Sequence, residues 1–112
     1  MKSASMVIVP LDLDLLDKEL KLLKDYVASR TSPTGVRLYM FEKIYARTGS
    51  ILGGVLLLEP MEDGKFYVKI WTLGGYQGGL DYGSNKKFIT DMLAWIKSLG
   101  AEIASGPEYT TW

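Results

Sequence analysis

The 112-residue chain contains neither histidine nor cysteine. Without histidine it lacks the side chain that most often transfers protons near neutral pH, which is also the commonest transition-metal ligand. Without cysteine it has no disulfide, no thiolate nucleophile and no cysteine-bound zinc or iron. These two absences exclude most hydrolase and metal-enzyme constellations, and we expect no catalysis, no metal site and no cofactor.

Amide side chains and long apolar runs are also scarce. Gln77 is the one glutamine and Asn85 the one asparagine, and depletion of such heat-labile residues is common in thermophilic proteins. No apolar run approaches the ~20 residues that span a bilayer, and the apolar stretch near the N terminus is too short for a secretory signal. We therefore expect a cytoplasmic protein of thermophilic type without a membrane partner.

The length suits one domain, and we expect a single α+β domain over residues 1–112. Apolar residues make up 47% of the chain and charged residues 23%, as in typical soluble globular domains. Thirteen basic residues balance thirteen acidic ones, so net charge does not indicate a polyanionic partner. Such a partner has to be inferred from how charges are arranged on a surface.

Hydrophobic periodicity predicts seven elements, and the short links between the middle strands predict an antiparallel meander. A sheet of four to five antiparallel strands with both helices on one face is the simplest way to bury two apolar helical stripes. The predicted order is a strand over 5–11, a helix over 12–30, strands over about 36–47, 51–59 and 65–72, a helix over 85–100 and a short strand after it.

This order resembles the layout of the RNA-recognition motif and of ferredoxin-like domains. In the RNA-recognition motif an aromatic-rich strand precedes the second helix, as "DGKFYVKIW" does here, and Gly64, Tyr67 and Val68 match its glycine, aromatic and valine. The first strand lacks the expected aromatic residue, and there is one strand too many. The positions that depart from the signature are Lys65, Phe66 and Ile70. The resemblance is one of layout and assigns no family.

Two predicted strands carry a cation or an aromatic ring at every second position, in "VRLYMFEKIYAR" and in "KFYVKIW". If the connecting turns are tight, both sets share one face, with residues 52–58 of the middle strand as an apolar floor between them. The residues expected to line this cleft are Arg37, Tyr39, Phe41, Lys43, Tyr45, Arg47, Gly54, Lys65, Tyr67, Lys69 and Trp71.

Rings that stack on bases and cations that contact phosphates are the two components of sequence-tolerant single-strand binding. We therefore predict a non-enzymatic protein that binds single-stranded DNA or RNA with little sequence preference through an open sheet face. The alternative is a protein-interaction or homodimerisation module that uses the same face, because rings covered by long cationic side chains also occur where a second subunit docks.

Two other patterns have more ordinary interpretations. The segment from Gly78 to Gly83 has the glycine spacing of a phosphate-binding loop, but the Lys and Ser or Thr that should follow directly are missing. A turn followed by a helix cap accounts for it. The acids Asp12, Asp14 and Asp17 stand at a predicted helix start, where they favour the helix dipole and need no metal.

Overall fold

The computed structural model describes residues 2–45, 50–74, 76–77, 80–81 and 84–110. The predicted α+β class is confirmed, but the predicted four to five strands in ferredoxin-like order are not matched, because the main sheet has six strands. The described elements are β1 (Lys2–Val9), α1 (Leu13–Leu22), β2 (Tyr26–Thr31), β3 (Arg37–Tyr45), β4 (Ser50–Pro60), β5 (Phe66–Gly74), β6 (Tyr76–Gln77), β7 (Leu80–Asp81), α2 (Ser84–Ser98) and β8 (Glu102–Thr110).

The main sheet has the strand order β2-β3-β4-β5-β1-β8, and every neighbouring pair is antiparallel. β2 to β5 form a meander, and β1 lies between β5 and β8. β6 and β7 form a separate two-stranded ribbon. The strand nearest the N terminus is therefore internal, and β2 and β8 are the two edges.

α1 is shorter than the sequence predicts. It begins where the Asp12 carboxylate accepts a hydrogen bond of 3.1 Å from the backbone N–H of Leu15, and it ends at Leu22 because Leu23 is extended. Tyr26–Thr31 then pairs with β3 as a sixth strand. The predicted helix through residue 30 is wrong here, since the aromatic and β-branched residues of this segment suit a strand.

The buried side chains form one cluster between the helices and one face of the sheet. Both helices cover this face: Leu16 and Leu20 of α1 are buried in the cluster, as are five residues of α2. The α2 members are Phe88, Ile89, Met92, Leu93 and Ile96, and the members from the sheet are Ala4, Met6, Ile8, Tyr39, Phe41, Leu52, Leu56, Leu58, Val68 and Ile70.

The register of β5 decides which side chains share this covered face. A tight turn would pair Pro60 with Lys65, but Pro60 pairs with Phe66. The extra residue lies in a 3-10 turn at Glu62–Gly64 in which Asp63 has a φ of 59°. A shift of one residue moves every side chain of a strand to the opposite face, so Val68 and Ile70 join Leu56 and Leu58 beneath the helices.

Candidate interaction face of the sheet

The predicted cleft does not form, because its two walls lie on opposite faces of the sheet. Tyr39 is fully buried and Phe41 is 3% exposed, both beneath the helices. Tyr39 lies opposite Leu56 and not, as tight turns predict, opposite Leu58. A shift of two residues leaves the side chains of β3 and β4 on the same faces relative to each other. The one-residue shift of β5 moves its side chains to the opposite face. The expectation that both sets share an open face is therefore wrong.

Arg37 and Tyr39 instead hold β3 against α1 through a single carboxylate. The Tyr39 hydroxyl donates to Oδ1 of Asp17 at 2.5 Å, and Arg37 Nη1 lies 3.5 Å from the same oxygen. Lys21 Nζ lies 3.0 Å from Oδ2. Burial raises the pKa of Asp17, but the hydrogen bonds from Tyr39 and Lys21 and the charges of Lys21 and Arg37 outweigh it, leaving the pKa below 3.8. Desolvation and the bond to Asp17 raise the pKa of Tyr39 well above its usual range.

Gly54 of β4 and Lys43 of β3, two further predicted residues, also lie away from the open side of the sheet. Gly54 is buried against the ring of Phe88, and Lys43 lines a cavity on the helix side. Tyr45 is the last residue of β3, and Arg47 lies outside the described residues. Neither Gly54 nor Lys43 adds to a ring-and-cation platform on the open side.

Residues of β5 do lie on the side that the helices leave uncovered. Tyr67, Lys69 and Trp71 are half-buried there, and Lys69 Nζ lies 5.2 Å from the centre of the Trp71 ring. This distance is within the range of a cation–π contact. Lys65 is exposed just before β5 begins. Of the predicted set, these four side chains remain available to a ligand of the sheet.

We call the uncovered side of the sheet the open face, and its side chains stand in cross-strand rows. From β2 to β8 the first row is Arg30, Leu38, Leu57, Lys69, Ser5 and Glu108, and the second is Ala28, Met40, Val55, Trp71, Ser3 and Thr110. Shorter rows flank them: Glu59, Tyr67, Val7 and Ser105 on one side, then Glu42, Gly53 and Leu73, then Ile44 and Ile51 on the other.

The open face is largely apolar in its central rows and at the end where β3 meets β4, although neither α1 nor α2 covers it. In the central rows Leu38 is 36% exposed and Met40 38%, and toward that end Ile51 is 53% exposed, Leu73 64% and Ile44 66%. The sequence analysis did not single out these residues, because it relied on the alternating rings and cations of β3, which belong to the other face of that strand. A signal was nevertheless present in "ILGGVLLLE", which is apolar at nearly every position. Such a run is typical of a strand that is covered on both sides.

Charged side chains stand around this apolar centre. Arg30 and Glu108, both exposed, occupy the two ends of the first row, on the two edge strands. Glu59, also exposed, lies beside Tyr67 at one end of β4. The middle of the open face is therefore apolar except for Lys69, with a cation at one edge and an anion at the other, and Glu42 is a further exposed carboxylate on β3.

Comparison of the chain with protein-family models, with curated proteins and with solved structures finds no match. Among the described residues no helix is long and apolar enough to cross a membrane. Within the same ranges, no three Asp or Glu side chains come together as metal ligands. A function is therefore inferred from the fold and from the side chains of the open face.

Proposed function

We propose that the open face is a protein-interaction surface through which two copies of the chain pair as a homodimer. The observation that supports this is the apolar centre of the face, which has no cover within the described chain. Soluble monomers rarely expose contiguous apolar patches larger than a few hundred Å². Aligned packing of two sheets through such faces is a common way to bury them.

The open face is large enough for a stable pair. Six strands at a spacing of ~4.8 Å place the outer strands ~24 Å apart, and a nine-residue strand such as β3 is ~30 Å long. Their product, ~700 Å², is close to the ~800 Å² per partner that specific interfaces typically bury. Side-chain relief adds to this flat value, so pairing of the two faces covers the area that a standard interface needs.

The charges at the two edges of the open face are complementary to those of a second copy. A twofold axis parallel to the strands, between β4 and β5, reverses the strand order of one sheet over the other. Arg30 of each copy then faces Glu108 of the partner subunit. The ~30° angle between aligned sheets displaces these ends by about 6 Å, which an arginine side chain can span. Two equivalent ion pairs result at the rim.

The same axis pairs the centre of the face. Val55 faces Trp71 of the partner subunit, and Leu57 faces Lys69 of the partner subunit. Glu59 of the partner subunit comes over Tyr67, which is two residues from Lys69 along β5. The one cation near the centre therefore gains an anion from the second copy, so its burial does not leave an unpaired charge.

Sedimentation of the chain tests this proposal, since a dimer has twice the 12.5 kDa of the monomer. Met40→Glu places a carboxylate in the centre of each paired face and should weaken dimerisation by at least about 100-fold, because a buried unpaired charge costs ~3 kcal/mol or more. Leu22→Glu is the matched control, because Leu22 is 67% exposed on α1. A wild-type monomer at high concentration, or equal effects of the two variants, would contradict the proposal.

The position of the axis is tested by reversing charges. Arg30→Glu and Glu108→Arg should each weaken the dimer by at least about 30-fold, because each removes two rim pairs of ~1 kcal/mol and places like charges together. The double variant restores both pairs and should bind like the wild type. If the double variant is weaker than either single one, these side chains do not face each other and the axis is wrong.

Single-stranded nucleic-acid binding is the second candidate, and the stacked arrangement of Lys69 and Trp71 beside Tyr67 favours it. Two rings and two lysines provide for two bases and their phosphates. Binding of fluorescent oligo-dT or oligo-U should weaken steeply with salt and should quench Trp71 emission, whereas pairing through apolar side chains should persist in salt. Binding that Trp71→Ala leaves unchanged would exclude this candidate.

A further inference from the structure

A pocket of about 170 Å³ lies on the open face, between β1, β5 and β8. A β-bulge accounts for its position. The register shifts between Ser5 and Val7 of β1, where β8 places two residues, Gly106 and Pro107, opposite one. Gly106 has a φ of 89°, a conformation that glycine adopts readily. Because a bulge interrupts the hydrogen-bond ladder and turns neighbouring side chains aside, it leaves room here between the two strands.

The lining of the pocket is rich in hydrogen-bond acceptors and has a negative charge. Its hydroxyl groups belong to Ser5, Tyr67 and Ser105. Of the described residues that line it, Glu108 alone carries a charge. Lys69 stands in the same row as Ser5, but its Nζ lies 5.2 Å from the centre of the Trp71 ring. The lining therefore favours a cationic group with several N–H donors.

A guanidinium group suits this lining better than an ammonium group does. Its N–H donors lie in one plane, so it can bind the Glu108 carboxylate through two parallel hydrogen bonds and still donate to hydroxyl groups. It also stacks on aromatic rings, and the Tyr67 ring forms part of the wall. At ~30 Å³ per molecule the volume corresponds to about six waters, which is room for a guanidinium group and the end of its stem.

We propose that this pocket receives Arg30 of the partner subunit, an inference that rests on the proposed homodimer. Under the twofold axis described above, Arg30 of one copy faces Glu108 of the other, which is in the wall of the pocket. Arg30 is exposed, and its Nη1 donates to the carbonyl oxygen of Ser29 at 2.7 Å. Water can replace this exposed bond when the side chain turns toward the partner. Each dimer then contains two pockets filled by arginine.

A substitution that keeps the charge tests the pocket through the dimer. Arg30→Lys retains the rim charge but loses the planar fork, and it should weaken dimerisation about tenfold, which is roughly threefold for one lost hydrogen bond at each of two pockets. Ser5→Ala together with Ser105→Ala should weaken the wild-type dimer at least as much. The same serine substitutions should have no effect in the Arg30→Met background, because the guanidinium group is already absent there. Sedimentation equilibrium measures each constant.

A titration with methylguanidinium tests the pocket without the dimer. It uses Met40→Glu, at a concentration where sedimentation shows a monomer, so that no partner fills the pocket. The backbone amide signals of Ser105 and Gly106 should shift and saturate at roughly 10 mM, as so small a ligand allows, and methylammonium should bind several-fold more weakly. Glu108→Gln should abolish this preference. Glu62→Gln alters an exposed carboxylate outside the pocket and should retain it.

The outcomes distinguish failure of the pocket from failure of the homodimer. A wild-type chain that stays monomeric overturns the homodimer and, with it, Arg30 as the occupant. The pocket alone is overturned if the chain dimerises but Arg30→Lys binds as tightly as the wild type, or if the serine substitutions weaken the Arg30→Met dimer equally. It is also overturned if methylguanidinium shifts neither amide signal or binds no more tightly than methylammonium.

Discussion

Gly54 is the point at which β4 contacts the ring of Phe88, and its replacement by alanine tests the packing of the helix layer on the sheet. A Cβ at this position would lie 2.6 Å from Cε1 and 2.8 Å from Cζ of Phe88. The ring cannot move freely, because it is 8% exposed and packs on Phe41. Gly54→Ala should therefore shift Phe88 or part α2 from β4.

The magnitude follows from two opposing effects. Overpacking a well-packed core costs ~1–3 kcal/mol. Neither Gly53 nor Gly54 has a positive φ, so alanine at either position should gain ~0.4–1 kcal/mol from the lower entropy of the unfolded chain. At the middle of both ranges the net loss for Gly54→Ala is about 1.3 kcal/mol, equivalent to roughly 5 °C in Tm at about 4 °C per kcal/mol for a chain of this length.

Gly53→Ala is a matched control one residue away. The nearest atom to a Cβ there is the carbonyl oxygen of Leu73 at 3.7 Å, an ordinary van der Waals contact on the open face. This variant should be as stable as the wild type or more stable by up to ~1 kcal/mol. Urea unfolding of both variants at several protein concentrations separates the change in fold stability from any change in dimerisation.

A double-mutant cycle identifies Phe88 as the cause. Phe88→Leu removes the ring atoms that the new methyl group meets, so Gly54→Ala should cost at least ~1 kcal/mol less in the Phe88→Leu background. If Gly54→Ala and Gly53→Ala have equal stability, or if the cycle is additive, the contact between β4 and α2 is not as described.

Four further predictions concern the carboxylate that joins α1 to β3 and the glycine at the end of β5. Tyr39→Phe removes the hydroxyl that donates to Asp17 at 2.5 Å and should lower the free energy of unfolding by ~1–2 kcal/mol in urea. Because folding lowers the pKa of Asp17, the contribution of its carboxylate to the free energy of unfolding is complete above pH 3.8 and is lost as the pH falls through the lower pKa of the folded state. The difference in urea midpoint between wild type and Asp17→Asn should therefore shrink in acid. Because folding raises the pKa of Tyr39, the contribution of its hydroxyl to the free energy of unfolding is complete below pH 10 and declines as the pH rises above that value. Wild type should therefore lose more stability than Tyr39→Phe at alkaline pH. Equal losses would contradict the hydrogen bond from Tyr39 to Asp17. Gly74→Ala should be more destabilising than Gly54→Ala, since Gly74 has a φ of 91° and its Cβ would meet the carbonyl oxygen of Ile51, and circular-dichroism melting shows whether it is.

The sequence predicts most of the elements of this fold but not their relative faces. The second helix, the start of the first and three of the four meander strands, β3 to β5, appear near their predicted positions because their apolar periodicities are long and clear. The sequence did not predict β2, because Val27 continues the apolar stripe of α1 at helical spacing and the helix was therefore extended through the strand. Periodicity alone does not separate the two where a strand follows a helix closely.

The composition of the candidate site depended on the length of the turn between β4 and β5, which the hydrophobic periodicity of the strands does not reveal. Whether Tyr39 and Tyr67 share a face is decided by one residue in the turn at Glu62–Gly64. That turn contains Asp63 at positive φ, and its length cannot be read from the strands on either side. The sequence does show that β4 is apolar on both of its faces. The proposal that two copies pair through the open face is based on these residues.

The position of β1 between β5 and β8 has a consequence for the order in which the protein acquires its structure. β1 is synthesised before both of its partners. Ser5 pairs with Lys69 and with Glu108, so the hydrogen bonds of β1 cannot close until a long stretch of the chain after it has been made. The meander from β2 to β5 has only local pairings and can assemble earlier. Since non-local pairing slows folding, insertion of β1 should be the late step, and chaperones would meet a nascent chain whose N-terminal strand is still unpaired.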